Sequence, residues 1–111
     1  FNSFGPFDGI KRDVLEGGER LPTIVKWPAK IKPGHVVKSP SISYDWLPTF
    51  TAAAGLPAPV NSDGVSLLPA LTGQGKQRQS LIYVEYEQNG RTPDYDEFAP
   101  TNRKRYSWTA L

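Results

Sequence analysis

The stretch GIKRDVLEGGERLP, residues 9–22, sets one lysine, Lys11, five residues ahead of Glu16-Gly17-Gly18. An ammonium in such a place can donate to an oxygen of a sulfate or phosphate through a charge-assisted bond of about 2.7–2.9 Å. Solvation is the commoner fate of a lysine, which is rarely buried without a partner. Arg12 follows directly, but neighbouring side chains of an extended chain face opposite ways, so the two are not expected to share one anion. Glu16 is read as structural: a carboxylate before Gly-Gly can accept backbone N–H bonds. Gly17 and Gly18 can supply the positive φ of a tight turn.

Other groups with chemical potential are weaker. His35 is the only histidine and follows Pro33-Gly34, a turn context that favours a surface role. Asp94, Asp96 and Glu97, interleaved with Tyr95 and Phe98, lack the spacing of a calcium loop and read as an exposed acidic loop. Asn102-Arg103-Lys104-Arg105, followed by Tyr106 and Trp108, has charge and aromatics suited to nucleic acid. The cluster is short and balanced by the acids just upstream, so a solvated loop is the expectation. No Gly-rich phosphate loop, GxSxG elbow or HExxH occurs.

The whole chain sets bounds on these readings. Its 111 residues suit one modest domain or part of a larger one. The net charge of +2 does not demand nucleic acid as a partner. The absence of cysteine removes disulfides, thiolate metal sites and a cysteine nucleophile from this chain. No apolar run is long enough to span a bilayer, so no membrane partner is expected. Because the first residue is Phe1, the true N-terminus is expected to lie further upstream.

Ten glycines and eleven prolines call for short elements and defined turns. LPTIVKW, residues 21–27, reads as a strand bracketed by Pro22 and Pro28. Lys32-Pro33-Gly34-His35 reads as a type II turn. DWLPTFTAAAGLP, residues 45–57, is the clearest helix, expected over about 45–54. Asp45 is placed to cap its free N–H groups, and Pro48 is tolerated in the first turn. Trp46, Leu47, Phe50 and Ala53 or Ala54 form its apolar stripe; Gly55 stands where a left-handed residue ends a helix, and Pro57 prevents continuation. GVSLLPALTG, residues 64–73, suggests a helical turn between two glycines, and LIYVEY, residues 81–86, is the strongest strand signal. The fold class expected is α+β, a small antiparallel sheet packed with one main helix.

Together these stretches resemble the second half of a type I sulfatase of the arylsulfatase A kind, in the alkaline phosphatase superfamily. The resemblance rests on Phe4-Gly5-Pro6-Phe7, on Lys11 with Glu16-Gly17-Gly18, Arg20 and Pro22, and on Trp27-Pro28 close behind. It continues through Tyr44-Asp45-Trp46-Leu47-Pro48-Thr49, Ala54-Gly55 and Asp63-Gly64-Val65-Ser66-Leu67-Leu68-Pro69, and covers roughly residues 4–90.

The resemblance implies hydrolysis of sulfate esters by a hydrated formylglycine, with a calcium ion balancing the sulfate charge. It implies that Lys11 is the catalytic lysine that contacts the sulfate and stabilises charge on the leaving oxygen. The Cys/Ser-x-Pro-x-Arg motif that yields formylglycine is not in this sequence, and the Asp-Asn calcium pair is expected upstream of Phe1. This stretch alone is therefore expected to be inactive and to hold no calcium of its own. Residues 1–35 would end the catalytic domain, including the Lys11 segment and strand 21–27. Residues 36–111 would form a C-terminal subdomain with a helix at about 45–54 and a strand at about 81–86, incomplete at its end. The implied partners are a sulfated small molecule or glycan and the N-terminal catalytic domain of the same protein, in a periplasmic or secreted setting. Two rivals stand beside this reading: a non-catalytic interaction module that exposes Trp46 and Trp27, and a related phosphate-transferring enzyme.

Overall fold

The computed structural model describes residues 5–7, 9, 14–87 and 106–110. Two compact units are present, one of Phe1–Thr23 with Tyr83–Leu111 and one of Ile24–Ile82. Residue 35, where a subdomain boundary was expected, lies inside the second unit. No helix among the described residues is long and apolar enough to cross a membrane.

In the first unit, α1 spans Glu16–Glu19. Gly17 and Gly18 lie within it and do not adopt the positive φ expected of them. The chain closes a helical turn through Gly18 N and Glu19 N, which donate to Leu15 O at 2.8 and 3.1 Å. Strand β1, Tyr83–Glu87, pairs antiparallel with β2, Tyr106–Ala110, in the register Tyr83↔Ala110, Glu85↔Trp108 and Glu87↔Tyr106. β1 matches the expected strand at about 81–86, starting two residues later and ending one later. Tyr83 and Glu85 stand two apart and so share a face of the strand; the Tyr83 hydroxyl donates to Glu85 Oε2 at 2.6 Å. That bond holds the proton on the phenol, and with burial and the nearby carboxylate it raises the Tyr83 pKa.

The strand expected at 21–27 is not formed. No ladder partner for it exists among the described residues, and a strand needs one to satisfy its backbone. Ile24, its apolar centre, is 95% exposed. β-branched composition alone marks a segment suited to a half-buried sheet and does not supply the neighbour.

In the second unit, a 3₁₀ turn at Ser43–Asp45 leads into α2, Trp46–Ala53. This is the expected helix, one residue shorter at each end. Pro48 is the third helical residue, where no intrahelical N–H bond is required, and it is buried. Gly55 takes φ 71° just past the helix end, and Leu56 N donates to Thr51 O at 2.9 Å. The second expected helical turn is α3, Leu68–Thr72, closed by Gly73 at φ 67°. Gly34 takes φ 71° with His35 N donating to Lys32 O at 3.2 Å, as a type II turn requires at its third position.

The centre of this unit is polar. Asp45 has no exposed surface, and Thr49 and Ser80 are nearly as buried. Asp45 does not cap the N–H groups of α2 as expected. Its carboxylate turns back and across: Oδ2 accepts from Ile42 N at 3.0 Å, and Oδ1 accepts from Val65 N and Ser80 Oγ, each at 2.8 Å. Thr49 extends the network, its hydroxyl donating to Asp45 O at 2.6 Å and accepting from Leu67 N at 2.8 Å. The Tyr44 hydroxyl donates to Leu81 O, 37 residues along the chain. Leu67 is the buried hydrophobic side chain of the unit among those described.

Gly64 is required by close approach. A Cβ there would lie 2.2 Å from Tyr44 O and 3.0 Å from Pro48 Cγ, and the first obstacle is backbone.

Two outcomes follow for urea unfolding. Gly64→Ala should cost about 1–3 kcal/mol, as forced overpacking does; an unchanged midpoint would show that the turn at 62–65 moves freely. Asp45→Asn should cost at least about 2 kcal/mol, because its amide cannot accept from all three donors and a buried unpaired donor costs about 1–3 kcal/mol. A wild-type midpoint for Asp45→Asn would remove the carboxylate from the fold's support.

Candidate functional site

Lys11, the residue singled out for catalysis, lies outside the described residues, as do Arg12, the acidic group at Asp94, Asp96 and Glu97, and the basic run 102–105. What the structure gives is the segment that follows Lys11. Glu16 opens α1 and Arg20 follows its last residue, four positions on, where side chains can meet. Arg20 Nε donates to Glu16 Oε2, so the Glu16 carboxylate is engaged by a guanidinium and does not hold a Gly-Gly turn. The Arg20 guanidinium also stands over the Phe7 ring, 4.4 Å from its centroid, a cation–π contact worth about 0.5–1 kcal/mol at an exposed site. Arg20 thus ties the aromatic opening of the chain to the residues after Lys11.

Glu19 is the anomalous acid of this segment. Its Oε1 is buried without a hydrogen-bond partner among the described residues. Burial, and then the neighbouring Glu16 carboxylate, push its pKa up from the usual carboxylate value. Sequence spacing gave no sign of this.

The other sequence-selected residues do not assemble into a catalytic group. His35 is exposed, as its turn context suggested, and its Nε2 donates to Ala70 O at 2.7 Å. Ala70 lies in the last turn of α3, so the imidazole satisfies a carbonyl that the helix cannot. Trp46 is half-buried and meets Phe50 at 5.7 Å between ring centroids, tilted by 30°. It is neither the fully buried stripe residue expected of a sulfatase helix nor the exposed platform expected of a binding module. Leu47 and Phe50, from the same stripe, are exposed.

A calcium ion does not fit the described residues. No three His, Cys, Asp or Glu side chains converge among them. Asp45, the most enclosed carboxylate, has both oxygens taken up by protein donors, whereas a hard cation needs several free converging oxygens.

Comparison with known proteins supplies what the geometry does not. Residues 3–107 match the family described as N-sulphoglucosamine sulphohydrolase, C-terminal. The chain is 37% identical to the steryl-sulfatase of Mus musculus over 86 residues, which cover 76% of this chain and 14% of that protein. It is 37% identical to the N-acetylglucosamine-6-O-sulfatase of Bacteroides thetaiotaomicron over 87 residues, 75% of this chain and 15% of that protein. It is 40% identical to the arylsulfatase A of Bos taurus over 74 residues, 66% of this chain and 14% of that protein. The chain thus spans about one seventh of the length of these curated relatives. No solved structure matches it significantly. With its Lys11, Glu16-Gly17-Gly18, Arg20 and Pro22 block and a match over nearly its whole length, the chain belongs to the N-sulphoglucosamine sulphohydrolase C-terminal family and corresponds to the C-terminal portion of a sulfatase.

Proposed function

We propose that this chain is the part of a sulfatase that completes the enzyme's fold and presents Lys11 to the sulfate ester. The observation that carries the reading is the family match over residues 3–107, in which Lys11 stands five residues before Glu16-Gly17-Gly18. The parent enzyme hydrolyses sulfate esters with a formylglycine nucleophile and a calcium ion, both held on polypeptide outside this sequence. A lysine cannot by itself supply a nucleophile for this chemistry, so the 111 residues alone are inactive. The Lys11 ammonium acts where negative charge develops on the departing oxygen, and a preorganised cation there lowers the barrier.

The uncovered apolar surface supports the idea of a piece that docks. Val60 is 90% exposed and Phe50 64%, with Leu47, Leu56 and Ile24 also open to solvent. Where such side chains adjoin, further polypeptide packed on them would remove their apolar surface from water. The N-terminal catalytic domain of the same protein is the cover we propose. The substrate class is a sulfated small molecule or glycan, and the setting is periplasmic or secreted, as the family resemblance implies.

The test uses the intact enzyme and an aryl sulfate. Lys11→Ala should lower kcat by about 10²–10³-fold, the usual cost of one electrostatic stabiliser, while the thermal midpoint stays within a degree or two. Wild-type turnover by Lys11→Ala would remove the lysine from the reaction. A parent sequence with no Cys/Ser-x-Pro-x-Arg motif upstream would remove the formylglycine mechanism.

A further inference from the structure

Phe7 and Glu16 stand on either side of Lys11 in the sequence, four residues before it and five after it. Gly9 and Val14, which bound residues 10–13, are both buried. Past Val14 the chain closes the α1 turn, with Leu15 O accepting from Gly18 N and Glu19 N. Arg20 then reaches back to both flanks. Its Nε donates to Glu16 Oε2, and its guanidinium lies over the Phe7 ring, with Cζ 4.4 Å from the centroid.

A guanidinium suits this double task. It is planar, presents donors along its edge in a fixed fork, and stacks its face on an aromatic ring. A lysine ammonium in its place is a compact point charge on a flexible stem, with neither the edge nor the face. The Arg20 and Glu16 side chains keep 60% and 52% of their surface in solvent, and ion pairs that open contribute little to stability. What the arrangement supplies is geometric. Ordering the chain on both sides of a short segment removes backbone freedom from that segment. A cation that stabilises developing charge must be in place before the charge appears, and a misplacement of about 1 Å can cost about 10²-fold in rate.

We propose that Arg20 is a positioning residue for sulfate-ester cleavage: by holding Phe7 and Glu16 with one planar group, it fixes both flanks of the Lys11 segment and so sets where the ammonium meets the departing oxygen. The inference rests on the sulfatase reading above. Arg20 acts through Lys11 and does not itself touch the ester, because its Nε is engaged by Glu16 and one face by Phe7.

The experiment follows the intact enzyme with a series of aryl sulfates whose phenols differ in acidity. Arg20→Ala should lower kcat about 10–100-fold with KM changed less than about threefold, as for an interaction realised in the transition state. The loss should grow as the departing phenol becomes less acidic, because a poorer leaving group depends more on the cation; a general folding defect would slow all esters alike. Arg20→Lys should be nearly as slow as Arg20→Ala. Phe7→Leu should also lower kcat, and Phe7→Tyr, which keeps a ring beneath the guanidinium, should recover most of that loss. In an enzyme already carrying Lys11→Ala, adding Arg20→Ala should slow turnover by less than about twofold, since the two act as a unit. The thermal midpoint of each variant is checked against wild type; if Arg20→Ala does not fold, the Phe7→Leu and Phe7→Tyr pair carries the test. Wild-type kcat for Arg20→Ala beside a slow Lys11→Ala overturns the proposal and leaves the sulfatase reading standing, as does a full multiplication of the two losses in the double variant. Wild-type turnover by Lys11→Ala overturns the lysine's role and this proposal with it.

Discussion

Asp45 has no contact with water, and its two oxygens are divided among the Ile42 amide, the Val65 amide and the Ser80 hydroxyl. That arrangement ties together three segments of residues 24–82. The bond to Ile42 shapes the 3₁₀ turn that starts α2. The bond to Val65 pulls the 62–67 segment against the helix, where Gly64 must be a glycine because Tyr44 O occupies the space of a side chain. The bond to Ser80 anchors the chain three residues before β1. Hydrogen bonds to a charged acceptor are worth about 1.5–3 kcal/mol each, and much of the cost of losing one is the penalty of leaving its partner unmade.

A polar hub of this kind fixes geometry, but it does not supply the hydrophobic free energy that usually balances chain entropy. Val14 and Leu67 are the buried hydrophobic side chains among the described residues, while Leu21, Ile24, Val36, Phe50 and Val60 remain open. The chain's composition is ordinary, with 38% hydrophobic residues. Among the described residues several large apolar side chains thus face solvent, in a stretch that corresponds to about one seventh of the length of its relatives.

What the sequence revealed depended on how local the cause was. Helix α2 was legible because Pro48, Gly55 and Pro57 act on the backbone within a turn of their own position, and the same holds for Gly34 and Gly73. β1 was legible from its run of branched and aromatic residues. Segment 21–27 is also rich in branched residues but has no ladder partner among the described residues, which no reading of its own residues could have disclosed. Gly17 and Gly18 permitted a left-handed turn without requiring one, and a helical turn through Leu15 O was formed instead. Asp45 looked like a cap of α2; two of its three partners instead lie 20 and 35 residues away. Lys11 was selected by family resemblance and not by its neighbours, and the described geometry reaches only the segment after it.

The reach of the Asp45 contacts also bears on how this unit assembles. The Ile42 bond closes a loop of three residues, whereas the Val65 and Ser80 bonds close loops of 20 and 35. Closure entropy grows only slowly with loop length, but the longer loops must still be searched before their bonds repay the ordering. The short turn and α2 can therefore flicker into place early and locally, with the acid still hydrated. Sealing that acid from solvent is the step that recruits distant chain, and it commits the region to a single arrangement: a partly assembled form would strand a dehydrated carboxylate, so halfway states are disfavoured and the transition is sharpened.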